Sequence, residues 1–420
     1  MRTILRCVPI IFAAAAVDAQ QTAAPRLTAV QELRIDGASE DLSGLASVII
    51  GPRGSMIFVE PQDFRLRFYN VAGKEIARFG RRGQGPGEFD LGGQTRPVAA
   101  IGVSLGTMGD TIWAWDRGTQ RFTLITSDGK LIKSIGLPAK LPNPESASAP
   151  QVGTERRLLS FAARAIFADG SRLGRATWGR IEIVTRDGRD VPMQRSDGPA
   201  EYAIANADGD ITRIVGRIPT TESSVSVVRD GGLRQSSSAV PFIEPTYESV
   251  AQDASRIAFG ITTVAEQSGV LKIVVVSMRG DTTLKRDVSF APIAIAKSSL
   301  DSAMADRMRA YRPSPDGKAP TGSPDMADEM ESKLRAAMPS AMSPYRGMTL
   351  GLDNSIWLLM RTPPGSTRDY FVLNAQGNPH GIVSLPKETA TLARASLTNV
   401  WAIAYDADAL PSLVRYHITR

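Results

Sequence analysis

One short frame recurs along this chain and limits what it can fold into. Two apolar residues precede a residue with a short polar side chain, and a glycine follows three positions after that polar residue. The frame is centred on Asn70 and Gly73, Thr126 and Gly129, Asn206 and Gly209, Ser277 and Gly280, and Asn374 and Gly377. The first two copies align over their length. Leu66 to Phe79 reads L-R-F-Y-N-V-A-G-K-E-I-A-R-F, and Leu124 to Ile135 reads L-I-T-S-D-G-K-L-I-K-S-I. Physically this is a strand entering a tight turn. The glycine takes positive φ at no steric cost, and the Asn, Thr or Ser side chain bonds the turn backbone. Between copies the chain is dominated by short runs rich in Val, Ile, Phe and Thr, broken by Gly, Asp-Gly and Pro, which is an all-β signature.

The glycines are 56, 80, 71 and 97 residues apart. These spacings exceed a usual propeller blade of about 40 to 50 residues and imply insertions. A sixth unit starts near Thr391 and ends with Ser412 to Ile418, with three strands of its own. Leu27 to Ile35 supplies its missing outer strand, so that pairing the first and last segments closes the ring and removes an open sheet edge. The expected fold is an all-β, six-bladed β-propeller closed by the N-terminal strand. Its blades span 42–96, 97–150, 151–222, 223–296, 342–390, and 391–420 with 27–36. Arg186-Asp187-Gly188 offers another hairpin inside the third unit, which leaves seven blades as the alternative count.

Residues 297–341 depart from the β pattern. Leu300, Met304, Met308 and Tyr311 fall at helical spacing, with Ser298 and Asp301 as a capping pair. Met326, Met330, Leu334 and Met338 form a second stripe, which Ser323-Pro324 should start. Between the two, Arg312 to Ser323 holds three prolines and two glycines and reads as a mobile connector. Seven of the 13 methionines lie between Met304 and Met348. Helical spacing explains Met304, Met308, Met326, Met330 and Met338 as an apolar stripe laid on the propeller, with an adaptable docking surface or copper(I) binding as the competing readings. This helical hairpin insertion and the loop Gly80 to Asp90 both join an outer strand to the next inner strand, so both should crowd one mouth of the central channel.

The first residues read as an export signal. Arg2 and Arg6 precede the apolar run Val8 to Val17, and Val17-Asp18-Ala19 offers a cleavage site before Gln20. Residues 1–19 are then a signal peptide, and 20–420 the propeller, in a periplasmic or extracellular setting. The run is too short to span a bilayer, and no later stretch approaches the length of a membrane helix. Cys7 precedes the apolar run, so a lipoprotein anchor does not fit. Losing Arg2, Arg6 and Asp18 takes the formal charge from +6 to +5 over 401 residues. That excess is mild and no basic run appears, so a nucleic-acid partner is not implied. Cys7 is the chain's one cysteine, so the mature protein has no disulfide, thiol nucleophile or thiolate metal ligand.

The stretch Phe79-Gly80-Arg81-Arg82-Gly83-Gln84-Gly85-Pro86-Gly87-Glu88-Phe89 resembles the F-G-x-x-G-x-G-P-G-x-F signature of NHL-repeat propellers, and more narrowly that of secreted bacterial six-bladed β-propellers. Asp110-Thr111-Ile112-Trp113-Ala114-Trp115-Asp116 and Asp353-Asn354-Ser355-Ile356-Trp357 resemble the strand-turn-strand pieces of those repeats. One unit carries the full glycine-rich stretch, whereas such arrays repeat it, and the third and fourth units are degenerate. The resemblance implies a binding surface more often than an enzyme, and brings no universal catalytic residues with it.

Individual residues agree with that expectation. His380 should lie on an outer strand and His417 lies near the end of the chain. On separate sheets they cannot converge, which argues against a Ser-His-Asp triad or a histidine metal site. In the loop Gly80 to Asp90, glycine amides could converge on a carboxylate or phosphate, helped by Arg81 and Arg82. The competing reading is a rigid connector between blades. The Lys-Ser/Thr ending of a P-loop is missing. Trp113 and Trp115 share one strand face by period two, as core or as a stacking platform. Arg81, Arg82, Gln84, Glu88, Trp113 and Trp115 are therefore the candidate ligand- or partner-binding residues. The expected function is a protein- or ligand-binding scaffold with no cofactor, its protein or small-ligand partner unidentified. The alternative is a propeller hydrolase or lyase resembling gluconolactonases, with calcium held by acidic residues on the axis. Asp353 and Asn354 fit a turn better than an axial position, and Asp63, Asp110 and Asp116 also border turns.

Overall fold

A computed structural model describes residues 24–90, 103–142, 153–186, 189–221, 223–229, 234–312, 324–363 and 365–420. The export signal, the turn at Asp187-Gly188, Ser323 and the proline-rich connector after Arg312 lie outside these residues.

The protein is mostly β, with its sheets in a propeller-like arrangement. Strands β2 (Ala46–Ile50), β3 (Met56–Glu60), β4 (Arg65–Tyr69) and β5 (Glu75–Phe79) form the first four-stranded antiparallel sheet. The second comprises β6 (Val103–Met108), β7 (Thr111–Asp116), β8 (Arg121–Thr126) and β9 (Leu131–Gly136). In the third, β10 (Gly153–Ile166) and β11 (Arg172–Arg186) are long, and β13 (Glu201–Ala205) and β14 (Ile211–Arg217) complete the path. The far half of β11 turns back on itself through β12 (Arg189–Ser196). The Arg186-Asp187-Gly188 hairpin therefore extends the third sheet instead of starting a sheet of its own. A short hairpin, β15 (Ser224–Arg229) and β16 (Arg234–Ala239), stands apart before the fourth sheet. That sheet is built from β17 (Tyr247–Val250), β18 (Arg256–Val264), β19 (Gly269–Ser277) and β20 (Thr282–Phe290). The expected fourth unit, 223–296, thus merged an inserted hairpin with a sheet that begins at Tyr247.

The remaining strands form one eight-stranded sheet. β23 (Tyr345–Leu350), β24 (Ile356–Met360), β25 (Arg368–Leu373) and β26 (Pro379–Leu385) make one half of it. β27 (Thr389–Ala395), β28 (Asn399–Tyr405) and β29 (Pro411–Thr419), with β1 (Arg26–Ile35), make the other. β1 pairs antiparallel with β29 from Thr28↔Thr419 to Ile35↔Leu413, the N-to-C pairing that the sequence implies. It also pairs in parallel with β26 through Arg26↔Ile382 and Leu27↔Val383, which the repeat pattern did not suggest.

The apolar clusters lie between successive sheets and return to the start. Ile57, Phe68 and Phe89 of the first sheet and its loop pack with Leu105 and Ile125 of the second. Phe122, Phe161 and Phe259 link the second, third and fourth, while Phe290, Tyr345 and Phe371 link the fourth to β23–β26. Trp357 and Tyr416 join the two halves of the large sheet, and Phe58 and Tyr69 meet Trp401 and Leu413 to complete the circuit.

The repeated glycine frame is one hairpin, formed five times. In each copy the glycine amide donates to the carbonyl three residues earlier, at 2.9 to 3.1 Å. Each glycine has φ between 77° and 93°. Asn70 Oδ1 accepts from the Ala72 and Lys74 amides, and Asn206 and Asn374 repeat that bonding. The register slips by one residue just before every turn, at Phe68/Tyr69, Leu124/Ile125, Ile204/Ala205, Val275/Val276 and Val372/Leu373. This is a bulged three-residue turn, which needs a left-handed residue. The turn also abuts the outer part of the preceding unit. A Cβ on Gly73 would sit 2.7 Å from Leu33 of β1, and one on Gly129 2.7 Å from Ala77 of β5.

Helices α1 (Lys297–Met308) and α2 (Ala327–Ala337) occupy the connection from β20 to β23. A two-residue ladder of β21 (Ile293–Ala294) and β22 (Ala341–Met342) closes its neck. Met304, Met308, Tyr311, Met326, Met330 and Leu334 are buried against Val227 and Val240, beside β16 and in the inserted hairpin. The methionine stripe therefore builds a satellite core with that hairpin. It neither lies on the blades nor offers a docking surface. The Ser298–Asp301 capping pair does not form: the residue before α1 is Ala296, with no side-chain cap. A 3-10 turn, Pro324–Met326, precedes α2.

Replacing Gly129 with Ala should cost about 1–2 kcal/mol from the left-handed backbone alone, and more from the approach to Ala77. Urea unfolding of G129A against G136A measures this, because Gly136 has open space around it. Equal losses in the two variants would remove the turn from the account.

Candidate functional site

The loop Gly80 to Asp90 is a bonded unit. Its amides Gly83 and Phe89 close a short bridge onto the carbonyls of Phe89 and Arg81. Phe89 is buried, edge-on to Phe79 at 6.1 Å. The second sheet holds the loop from the other side. Arg121 donates to the carbonyls of Gln84, Gly85 and Glu88 at 2.8, 2.7 and 2.9 Å. Buried Asp116 accepts the Asp90 amide at 2.9 Å and also caps Gly118 and Thr119.

The loop supplies its own anion. Glu88 Oε2 accepts the Gly85 amide at 2.7 Å, and Arg81 Nε donates to Oε1 at 2.8 Å. Those bonds hold the Glu88 carboxyl below the usual carboxylate range. A Cβ on Gly83 would lie 2.1 Å from that carboxylate, so the glycines make room for Glu88. Arg82 rests over the Phe64 ring, 5.3 Å from its centroid. Arg81 and Gln84 face solvent.

A different site opens where the innermost strands converge. A cavity of about 490 Å³ is lined by Ser104, Leu105 and Trp113 of the second sheet, and by Arg164, Arg175 and Tyr202 of the third. Thr246, Glu248, Val250, Ala251 and Gln252 of the fourth contribute, and Arg394 of β27 reaches in from the last unit. Its size is that of a small-ligand site. Gln252, in the turn after β17, closes one end. Its Nε2 donates to Ile50 O at 2.6 Å and its Oε1 accepts Ile50 N at 2.9 Å. The same Oε1 takes Arg394 Nε at 3.2 Å, and the Gln252 carbonyl takes the Thr107 amide at 3.1 Å. One residue thus ties the fourth sheet to the first, the second and the last. Gly106 lets that carbonyl approach, since a Cβ there would lie 2.5 Å from it and 2.1 Å from the Trp113 ring.

The electrostatics are lopsided. Tyr202 donates to Glu248 Oε2 at 3.0 Å, and Arg175 lies 3.6 Å from Oε1. Burial, with the Glu248 charge beside it, pushes the Tyr202 phenol up to about 12. Burial lowers Arg394 to about 10, which still leaves it a cation at neutral pH. Arg164 sits where the β10 register slips between Ala163 and Ala165. A bulge of this kind re-aims a side chain.

Of the sequence candidates, Arg81, Arg82, Gln84 and Glu88 share the loop, and Trp113 stands in the cavity wall. Its Nε1 is buried without a hydrogen-bond partner. Trp115 is packed on Phe122, centroids 4.5 Å apart, and is not part of that wall. Trp357 is core, with Nε1 donating to Ser355 Oγ at 2.9 Å. Asp353 lies in the β23–β24 turn as expected, accepting from Ser355 and from the Leu397 amide. His380 and His417 lie on β26 and β29, which belong to one large sheet and not to separate ones. They remain away from the cavity wall. Arg164, Arg175, Tyr202, Glu248, Gln252 and Arg394 were not singled out from sequence. Apart from Tyr202, whose strand runs into the Asn206–Gly209 frame, they lie on strands and turns outside that frame, and three of them belong to the degenerate third unit.

No protein-family model matches the chain, and no curated protein is significantly similar to it in sequence. Solved structures are similar over most of their length. A member of the DUF4221 family from Bacteroides vulgatus is 12% identical, covering 94% of this chain and 98% of that one, with a TM-score of 0.46. A putative exported protein from Bacteroides fragilis is 10% identical (94% and 99% covered, TM-score 0.40). A calcium-binding regucalcin from Agrobacterium tumefaciens is 11% identical (94% and 95% covered, TM-score 0.36). At these scores the fold rests on the sheets described above.

Calcium does not fit this wall. The ion takes six to eight oxygen ligands, carboxylates foremost. Here Glu248 is the one carboxylate, already shared by Tyr202 and Arg175, among three guanidiniums. Among the described residues no cluster of three or more His, Cys, Asp or Glu stands ready for a metal.

Replacing Gln252 with Ala leaves the Ile50 amide and carbonyl without their partner. A loss of about 1–3 kcal/mol is expected, with faster hydrogen exchange at the Ile50 amide. An unchanged exchange rate there would show that Gln252 does not pin the channel end.

Proposed function

We propose that this chain is an exported six-bladed β-propeller that binds a small ligand in its axial cavity. The cavity wall carries this reading. It brings side chains from four units to one space and sets hydrogen-bonding groups beside apolar ones, as small-ligand sites do. The blade count is supported by splitting the large sheet at its two-residue parallel seam, which gives six four-stranded paths. Export is supported by Arg2, Arg6 and the apolar run to Val17. Kinship with NHL-repeat propellers is supported by Phe79 to Phe89. A binding role is favoured over the hydrolase alternative by the wall's chemistry. Its one carboxylate is bonded to Tyr202 and Arg175, and the nearby hydroxyls of Ser104 and Thr246 have no histidine on the wall to activate them.

The test is a metabolite panel screened by thermal midpoint and tryptophan fluorescence, on mature wild type and on W113F and Y202F. Compounds that stabilise the wild type should lose most of that effect in both variants. Stabilisation that both variants retain in full, or lactone hydrolysis abolished by a chelator, would overturn the reading.

A further inference from the structure

The charges around the axial cavity go further than its shape. Three guanidiniums line it, those of Arg164, Arg175 and Arg394, against the single carboxylate of Glu248. Arg175 lies within ion-pair distance of Glu248 and offsets it. Arg394 is bonded to neutral acceptors, Gln252 Oε1 at 3.2 Å and Ala393 O at 2.8 Å. Those neutral acceptors hold the side chain without cancelling its charge. Among the described residues Arg164 has no ion-pair or hydrogen-bond partner. Two positive charges are therefore left over on the wall, Arg164 exposed and Arg394 half-buried. A half-buried charge without a counter-ion, as at Arg394, is costly, and cations gathered in one cavity without counter-ions suit a partner of opposite charge.

The rest of the wall describes that partner. Guanidinium groups match the paired oxygens of carboxylates and phosphates. Trp113, Leu105 and Val250 give an apolar surface for a carbon skeleton. The cavity volume of about 490 Å³ suits a small molecule.

We infer that the ligand of the axial cavity is a small organic dianion, held by the guanidiniums of Arg164 and Arg394 against the Trp113 wall. This rests on the cavity being the binding site. The dianion is a dicarboxylate or a phosphate monoester, which share the two negative charges that the wall leaves uncompensated.

The experiment is calorimetric titration of the mature protein at fixed ionic strength with four probes: glutarate, phenyl phosphate, the neutral diamide of glutarate, and butyrate. At least one of the two dianions should bind, with butyrate weaker and the diamide weaker still, and the dianion that binds names the source. R164Q should weaken that dianion by about tenfold or more, the loss of one charged hydrogen-bonding partner. K130Q removes the same charge from an exposed outer hairpin and should leave the affinity unchanged. R394Q should act like R164Q, and R164Q keeps the test valid if R394Q fails to fold. A diamide that binds as well as glutarate, and loses affinity in W113F but not in R164Q, overturns the dianion while sparing the cavity. Dianion binding that neither W113F nor R164Q changes overturns both. No heat with either dianion at millimolar concentration also overturns the inference.

Discussion

The structure depends on β1. This strand comes from the N-terminal end of the chain, yet it lies between β26 and β29, near the C-terminal end. Without it β29 would expose a row of unpaired backbone groups, and sheet edges of that kind invite association. With it the last unit gains its outermost strand, and Ile35 enters the cluster that joins Trp401 and Leu413 to Phe58 and Tyr69. Apart from the polar contacts of Gln252, every other interface between sheets is formed by units adjacent in sequence. This one joins the ends, so it carries the loop-closure cost of the whole chain. With no cysteine after Cys7 to staple the ends, strand pairing and apolar packing carry that load.

Closure makes the axial site possible. The wall residues are far apart in sequence, from Ser104 to Arg394, and meet because closure brings the first strands of the second, third, fourth and last units together, with Trp113, Arg175 and Tyr202 reaching in from the strands behind. Gln252 exploits the same convergence, bonding Ile50, Thr107 and Arg394 from one turn. Rigidity at that end suits a preorganised site, since side chains fixed before a ligand arrives lose less entropy on binding it. The loop Gly80 to Asp90 shows the contrasting use of charge. Its glycine amides and Arg81 meet an anion that the loop itself provides, Glu88, and Arg121 and Asp116 of the next sheet fasten it down. Local polar groups there are mutually satisfied. In the cavity two guanidiniums have no counter-ion among the described residues.

Much of the architecture was legible in the residues. The glycine frame located five bulged turns because their geometry is local: positive φ, a polar side chain two to four residues from the amides it caps, and a strand on either side. The closing strand was legible because a three-stranded last unit requires a fourth. The helical stripes were also correctly placed, but their surroundings were not. Met304, Met308, Met326 and Met330 bury themselves against Val227 and Val240, in a hairpin that the sequence reading had assigned to a blade. Periodicity says which face of a helix is apolar and nothing about what covers it. Trp113 and Trp115 share a strand face and both pack on Phe122, yet only Trp113 reaches the cavity wall.

By itself, then, the sequence determined the local events: where strands turn, where helices interrupt them, which segment closes the ring. Those follow from backbone sterics and short-range hydrogen bonds, which a few adjacent residues encode. Only the tertiary structure decided the site. Arg164 faces the axis because of a bulge in β10, Glu248 is held by a tyrosine and an arginine from the neighbouring sheet, and Arg394 arrives from the far end of the chain. The charge on that wall is a sum over strands hundreds of residues apart, and no local pattern in the chain records it.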